Sequence, residues 1–562
     1  EDGIRDHCVT GVQTCALPIS LPFTLDPVKH LRPNRYIAEK VFKNQLDLFN
    51  RRPDMREDTV RSHNKLVQRG YVKAEAELTE PERAAWNVYP GEGYFIPWRI
   101  VHNEGSLSTP CRMVFDASSK TPGGDSLNGV LAKGANRLVK MQTLLARFRQ
   151  NPAALSADIS MAYNGTWLRP EFFKFQRYLW KEDLDPVAPT VEMCVLTLIY
   201  GVKSSGGQCQ ASIEKLADHY MERGRCLEAA AVLKQDVYVD DVMTGGATPA
   251  HTAAVAEQIV EVLEAGGMKV KAFTFSGHHP PEEVSADGVH VGLGGYLWQP
   301  FEDKLLLDIG PPRLGKAKRG KLPEPVTGDF GAALSKVFTR RTLSGLVARV
   351  FDPLGLATPV TARLKLDIHH LCQLNLDWDD QVPAELLHVW TANMEAIQSL
   401  KYVRFNRAVV PADAANDRVS LLAAVDASQH IGVAAIYARI LRQNGTYSCQ
   451  LMLARSKIMS SLTIPRAELR SAVMGAVSCQ VIKRNLGHRL GDVLYVTDST
   501  ITLHWINQDD RPLQVAVRNA VIEVRRFSEP HEWYHVDGNL NIADLGTDRK
   551  STRLNSSHTV IS

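Results

Sequence analysis

The stretch Lys234–Gly246, KQDVYVDDVMTGG, decides how the chain is read. It sets two carboxylates side by side, Asp240 and Asp241, after an apolar run and before a glycine pair. "DVYV" is β-branched and aromatic, hence strand-like, and "TGGATP" is turn chemistry. The pair is therefore expected at a hairpin tip, exposed and convergent. Adjacent carboxylates repel, and neither is easily buried unless a divalent cation sits between them. Alone, such a short match reads equally as an acidic surface turn.

A second apolar strand lies upstream, LSADISMAY, with Asp158 near its end. Phosphoryl transfer by two metals needs carboxylates from separate strand ends. The metals, held about 4 Å apart, activate the attacking oxygen and stabilise the leaving one. A strand-end Asp followed by a hairpin Asp-Asp is the minimum set. Tyr163 follows Asp158 closely and has two readings, a wall beside a nucleotide sugar and a core tyrosine.

The two ends stand apart from the rest. Residues Arg5–Ile19 and Asp548–Ser562 can be encoded by opposite strands of one DNA, residue for residue. They resemble a translated sequencing-library adapter. Residues 1–20 and 548–562 are therefore expected to be adapter-derived and are set aside from fold reasoning. What lies between is expected to be an open fragment of a longer product.

The length suggests roughly three or four domains. With 44% hydrophobic and 23% charged residues, the composition permits a large core. The net charge of +3 announces no global attraction to nucleic acid. Basic clusters are local, in "RLGKAKRGK" (Arg313–Lys321) and in "FTRRT" (Arg340 and Arg341), and runs of this kind are commonly solvated. Outside the ends the cysteines form no CxxC pair and no disulfide spacing, which fits a reducing compartment. No apolar run approaches membrane-spanning length, so no membrane partner is expected.

Along the chain, residues 21–150 read as helix and then short strands: "RYIAEKVFKNQLDLFNRR" is helical, and "GYFIPWRIVHN" and "CRMVFDAS" are strands. Residues 151–292 alternate, with "AALSADIS", "VLTLIYGV" and "DVYVDDV" as strands and "QCQASIEKLADHYMERG" and "PAHTAAVAEQIVEVLEAGG" as helices. Such alternation argues for a sheet with helices on it. Residues 293–417 carry a basic, proline-rich linker and helical segments, interrupted by "FDPLGLATPV" and "NLDWDDQVP". From Arg418, residues 418–547 read as a strand pair, a long helix "TIPRAELRSAVMGAVSCQVIKRNLG", and the strand "DVLYVTDST".

This constellation resembles the BEL/Pao group of retrotransposon polyproteins. "YVDD" and "ADISMAY" resemble the catalytic hairpin and first catalytic strand of a reverse transcriptase palm. "RMVFDAS…SLNGVLAKGAN" resembles the fingers, and "LIYGVKSSGGQ" the template and nucleotide-binding segment, although Gly206 stands where many reverse transcriptases have Pro. "EAGGMKVKAFTFSG" resembles the following motif and primer grip, and "FDPLGLATPV" and "LDWDDQVP" are further marks of the group. The resemblance covers about Leu21 to Thr547. It implies an α/β (α+β) multidomain fold: a right hand of fingers (21–150), palm (151–292) and thumb or connection (293–417), then an RNase H-like domain (418–547).

The resemblance assigns Asp158, Asp240 and Asp241 as metal ligands and Tyr163 as the gate against a ribonucleotide 2′-hydroxyl. Arg112 becomes a triphosphate contact, with a solvated strand-end arginine as the plain alternative. Lys269 or Lys271 would protonate the pyrophosphate leaving group, and the sequence does not choose between them. After Arg418, Asp426, Glu468, Asp498 and Asp544 follow the order of the RNase H fold: strand Asp, helix Glu, strand-end Asp, late Asp. Four acids around two Mg2+ would activate water against a phosphodiester. His535 has two readings, proton transfer or product release and a structural histidine. The adapter-like tail begins four residues after Asp544, so the closing helix that the resemblance places there is expected to be missing and the domain truncated.

The implied function is an RNA-directed DNA polymerase with a hybrid-cutting nuclease. It would use two Mg2+ per site, with Mn2+ as an alternative. Its partners would be an RNA template, a tRNA primer, deoxynucleoside triphosphates and the DNA/RNA hybrid, in a cytoplasmic virus-like particle with a nuclear stage. The main rival is a decayed or domesticated copy that binds nucleic acid without chemistry. Loss of acids would signal that, yet all seven are present. A viral RNA-dependent RNA polymerase would favour a small residue at Tyr163 and lack the second quartet. No Asp-Thr/Ser-Gly peptidase motif occurs, since "DST" at Asp498 lacks the glycine.

Overall fold

The computed structural model describes residues 18–102, 111–121, 123–315, 323–508 and 513–547. The adapter-like ends lie outside the described residues except for 18–20, as does Lys316–Lys321 of the basic linker. The chain is a mixed helix-and-sheet protein. Among the described residues no helix is long and apolar enough to cross a membrane.

The sheet that carries the first acids has four strands, all antiparallel. They run in the order Val237–Tyr238, Asp241–Gly246, Ala153–Ser160, Lys269–Phe275. Ala153–Ser160 is buried on both faces except at Asp158 and Ser160, which explains its small, uninterrupted residues. Helices Ser205–Glu222, Leu227–Gln235 and Pro249–Ala265 pack together beside this sheet. Pro249–Ala265 starts where Thr248 Oγ1 accepts from the His251 backbone N–H at 3.1 Å, with Pro249 at its first turn. Its buried residues Thr252, Val255, Ala256, Ile259, Val262 and Leu263 follow the helical repeat.

One expected strand is corrected. "VLTLIYGV" begins at Val195, where the strand Thr190–Val195 ends. Beyond it the chain makes scattered pairings instead of a ladder: Leu196 O accepts from Leu168 N, and Leu198 N donates to Thr166 O, each at 2.9 Å. The segment is buried and apolar, but its backbone is satisfied by a neighbouring irregular turn. Periodicity alone does not separate these cases.

In the second half, strands Val291–Leu293, Tyr296–Gln299, Lys304–Leu307 and Phe405–Asn406 form an antiparallel meander. A five-stranded sheet follows, in the order Tyr447–Ile458, Ile431–Leu441, Val419–Ala427, Leu490–Thr497, Trp533–His535, with the last two pairings parallel. The long helix Ile464–Leu486 packs on its central strands. One hydrophobic core unites the N-terminal region with the helices beside the first sheet, from Leu21 to Met268. The other runs without a break from Leu144 through Trp298, Leu354 and Trp390 to Trp533. The helices around 330–400 thus share their core with the five-stranded sheet.

"FDPLGLATPV" joins those parts. Asp352 accepts from the Tyr296 hydroxyl at 2.5 Å and from the backbone N–H groups of Leu356 and Ala357 at 3.0 and 2.8 Å. The turn presents Leu354 O to Ala454 N at 2.8 Å, pairing with the edge strand Tyr447–Ile458. Gly355 has φ +69°, and a Cβ there would lie 2.1 Å from Ala454 O, so only glycine fits. The "FTRRT" run is also structural: both guanidinium groups lie over Trp378, and Arg341 pairs with Asp379 at 2.9 Å.

In the N-terminal region, helix Pro53–Gln68 buries His63 flat against Trp180, with ring centroids 3.6 Å apart, and Nε2 lies 2.8 Å from the Tyr178 hydroxyl. Burial pulls the imidazole down to about 4. The native state then holds fewer protons than the unfolded chain between pH 4 and 6.5, so stability rises with pH across that window. The contribution is complete above pH 6.5 and is lost as pH falls towards 4, by about 3 kcal/mol. Urea unfolding at stepped pH should show this slope, and His63→Gln should flatten it.

Candidate active sites

Strand pairing brings the first acids together. Asp158 and Asp241 are direct partners across the antiparallel ladder. Asp240 sits in the two-residue turn between Tyr238 and Asp241, and its carbonyl accepts from Ile159 N at 2.8 Å. The turn is strained: Val239, a β-branched residue, has φ +61°. The ladder with Lys269–Phe275 shifts register between Ala157 and Ile159, around Asp158 itself. Such irregularities aim side chains at functional sites.

Asp240 and Asp241 are half-buried rather than exposed. The hairpin tip folds back against the strand Ala153–Ser160, so desolvation follows from the pairing. Burial, then Asp240 and Asp158, push the Asp241 carboxyl up to about 7. Burial and Asp158 raise Asp240 as well, while Lys271 and Arg112 oppose the shift. Lys271 Nζ lies 3.0 Å from Asp158 Oδ2. Lys269 lies at the exposed start of the strand, opposite Ser160. Of the two lysines, Lys271 is thus the one that reaches an acid of the set. Arg112, on the exposed face of strand Cys111–Phe115, is near enough for its charge to act on Asp240. Tyr163 follows a left-handed Met161 and packs edge-on against Tyr200, with centroids 4.2 Å apart. A Cβ at Gly206 would meet the Tyr163 hydroxyl at 3.5 Å, an ordinary contact. The segment where this chain departs from the common Pro thus borders the tyrosine.

The second set gathers at one end of the five-stranded sheet. Asp426 is buried in its central strand, Glu468 lies on the long helix, Asp498 follows the strand Leu490–Thr497, and Asp544 is in the short turn Ile542–Gly546. Burial raises the Asp426 carboxyl, with Asp498 and Asp544 adding to the shift. Burial likewise raises Glu468, with Asp498 and Asp426 adding. All four acids are therefore in one electrostatic neighbourhood. His535 lies on the neighbouring strand, opposite Thr497 and exposed.

Three residues that orient these acids are not apparent from the sequence. Thr547 Oγ1 donates to Asp426 Oδ2. Ser499 Oγ donates to Glu468 Oε2 at 2.5 Å and also caps the helix Thr500–Asn507. Asn541 Nδ2 donates to Val425 O at 3.0 Å and to Asp498 Oδ1 at 3.4 Å. Only Ser499 left a signal, as an N-cap ahead of an apolar helix.

Among the described residues no three His, Cys, Asp or Glu side chains already converge as a ligand set. The donor chemistry nonetheless fits a hard divalent cation, since both sets are all-carboxylate. The raised acids mark charge that a cation would relieve, and Lys271 supplies part of that relief at Asp158.

Residues 339–499 match the family model described as the Pao retrotransposon-like RNaseH-like domain. Among solved structures, the foamy viral protease-reverse transcriptase dRH in complex with double-stranded DNA superposes with a TM-score of 0.50 at 12% identity, covering 84% of this chain and 68% of that one. The foamy viral protease-reverse transcriptase in complex with RNA/DNA hybrid gives a TM-score of 0.47 at 12% identity, covering 88% and 55%. No curated protein matches the sequence. The fold is that of a retroviral-type reverse transcriptase carrying an RNase H-like domain. The family match is confined to residues 339–499, and the structural likeness is one of fold.

Neutralising a crowded acid should stabilise the metal-free protein. Asp241→Asn should raise unfolding free energy at neutral pH by roughly 1–3 kcal/mol. Adding Mg2+ should raise the thermal midpoint of the wild type, and less so that of the variant. Differential scanning fluorimetry with and without chelator checks both.

Proposed function

We propose that the chain is an RNA-directed DNA polymerase coupled to a nuclease that cuts the RNA strand of the resulting hybrid. The observation that carries this reading is the cross-strand pair Asp158–Asp241 with Asp240 in the adjoining turn. A second all-carboxylate set on an RNase H-like sheet supports the nuclease.

Asp158, Asp240 and Asp241 would hold the polymerase cations, and Asp426, Glu468, Asp498 and Asp544 those of the nuclease, with Mg2+ as the expected ion and Mn2+ as an alternative. Bound there, two such ions activate the attacking oxygen and stabilise the leaving one. Tyr163, fixed by Tyr200, walls the sugar and excludes a 2′-hydroxyl. Arg112 donates to the triphosphate as a planar fork. Lys271, beside Asp158, would hold the proton that pyrophosphate needs on leaving. Ser499, Asn541 and Thr547 keep Glu468, Asp498 and Asp426 in position. The partners are an RNA template, a tRNA primer, deoxynucleoside triphosphates and the DNA/RNA hybrid. Binding rests on phosphate contacts and hybrid shape rather than base sequence.

Primer extension on an RNA template with Mg2+ and deoxynucleotides tests the reading. Wild type should extend, and Asp240→Asn should lose at least about a hundredfold in rate. Glu468→Gln should still extend while leaving the hybrid's RNA strand uncut. No extension by wild type, with hybrid binding retained, would point to a non-catalytic binding copy.

Tyr163→Ala should admit ribonucleotides. The ratio of kcat/KM for deoxy- over ribonucleotide should fall roughly tenfold or more, with deoxynucleotide incorporation reduced less. Single-nucleotide incorporation kinetics read this directly.

A further inference from the structure

A cleft of about 550 Å3 opens between the helix Thr358–Gln373 and the nuclease acids. The helix contributes His369, His370 and Gln373 to one wall. Across from them lie His430, from the turn after Val419–Ala427, and the acids Asp426 and Asp544. Three imidazoles thus face two of the four nuclease carboxylates, and two of the imidazoles come from outside the five-stranded sheet.

The helix is held firmly in that place. Its start follows the Leu354–Gly355 turn paired to the sheet edge. Midway, Lys365 Nζ donates to Ser456 O at 3.0 Å and to Ser456 Oγ at 2.9 Å. Near its end, the Gln373 side-chain amide lies 3.2 Å from His369 Nε2, which ties the two side chains together. Among the described residues these side chains do not converge as a metal-ligand set. Their ring nitrogens can offer hydrogen bonds in a cleft of nucleotide size.

What such donors recognise follows from the surroundings. A phosphodiester brought to Asp426 and Asp544 carries its charge towards carboxylates, and neighbouring N–H groups offset that repulsion. Imidazole and amide groups also bond a 2′-hydroxyl, which distinguishes RNA from DNA. We propose that the helix Thr358–Gln373 forms part of the nuclease's substrate cleft, with His369, His370 and His430 binding the ribose-phosphate backbone of the RNA strand beside Asp426 and Asp544. This rests on the nuclease reading above, and it makes the connecting region part of the nuclease's substrate site.

The test uses the full chain in two assays. In the first, histidines are labelled with diethylpyrocarbonate in chelator and located by mass spectrometry, with an RNA/DNA hybrid long enough to span both acid sets or with duplex DNA of the same sequence. The hybrid should protect His369, His370 and His430, and the duplex should protect them less. In the second, hybrid cleavage is compared for wild type, Glu468→Gln and the double variant His369→Ala/His370→Ala, the last accepted only with a wild-type thermal midpoint. The double variant should raise KM for the hybrid roughly tenfold with a smaller change in kcat. Protection without cleavage by wild type would remove the nuclease reading and keep the binding cleft. Cleavage that depends on Glu468, with unprotected histidines and an unchanged KM in the double variant, would keep the nuclease and overturn the cleft.

Discussion

Two guanidinium groups sealed at the base of the sheet that bears Asp158 hold the molecule in one frame. Arg407 is fully buried and pairs with Asp303 at 2.6 Å while donating to the carbonyls of Phe148, Asn151 and Pro152. Arg149 is buried beside it, and four carbonyls, those of Asn406, Arg407, Leu451 and Met452, receive its donors. Burial pulls Arg149 down to about 10, still charged at neutral pH. A buried cation is tolerable only when its donors are met, and these carbonyls come from segments some three hundred residues apart in the chain. The start of the strand bearing Asp158, the small meander and the edge of the nuclease sheet are therefore located by the same pair of side chains.

That frame explains why the matched family segment, 339–499, begins among helices and ends just past Asp498. The helices from Arg340 to Ser399 are not a separate linker domain packed loosely on a nuclease. They share its core, and the turn at Leu354 pairs with the strand that would otherwise leave its hydrogen-bonding groups exposed. A sequence family tracks what must be kept together, and here the unit of packing crosses the point where composition changes near Arg418.

Much of this was legible in the residues, and the rest was not for identifiable reasons. "AALSADIS", "VSLLAAVDAS" and "VAAIYARI" read as strands because local pattern and burial agree in them. "VLTLIYGV" misled because an apolar run states that it is buried, not how its backbone is satisfied. The acids were legible as residue types at strand ends, but their half-burial was not, because it arises when Ile159 closes onto Asp240. The choice between Lys269 and Lys271 depends on pairing with Ser160 and on reach to Asp158, which only a sheet register supplies. His369 and His370 carried no signal: they lie more than fifty residues before Asp426 in a helix whose docking depends on Lys365 and Gly355.

Each acid set contains carboxylates that burial and neighbouring acids destabilise. Asp241 is pushed up to about 7, Asp426 is raised by burial with Asp498 and Asp544, and Glu468 by burial with Asp498 and Asp426. Val239 adds backbone strain at the first set. Hydrogen bonds, Lys271 and Arg112 oppose these shifts only in part. Such arrangements persist only where the surrounding structure over-determines them. The buried arginine pair and the continuous core supply that determination away from the acids. Stability is concentrated at the base of the polymerase sheet and in the interior of the nuclease sheet, and strain at the strand ends where charge must be received. Because one frame carries both ends, a nucleic acid lying across them would meet the two acid sets at a spacing set by the protein rather than by a flexible tether.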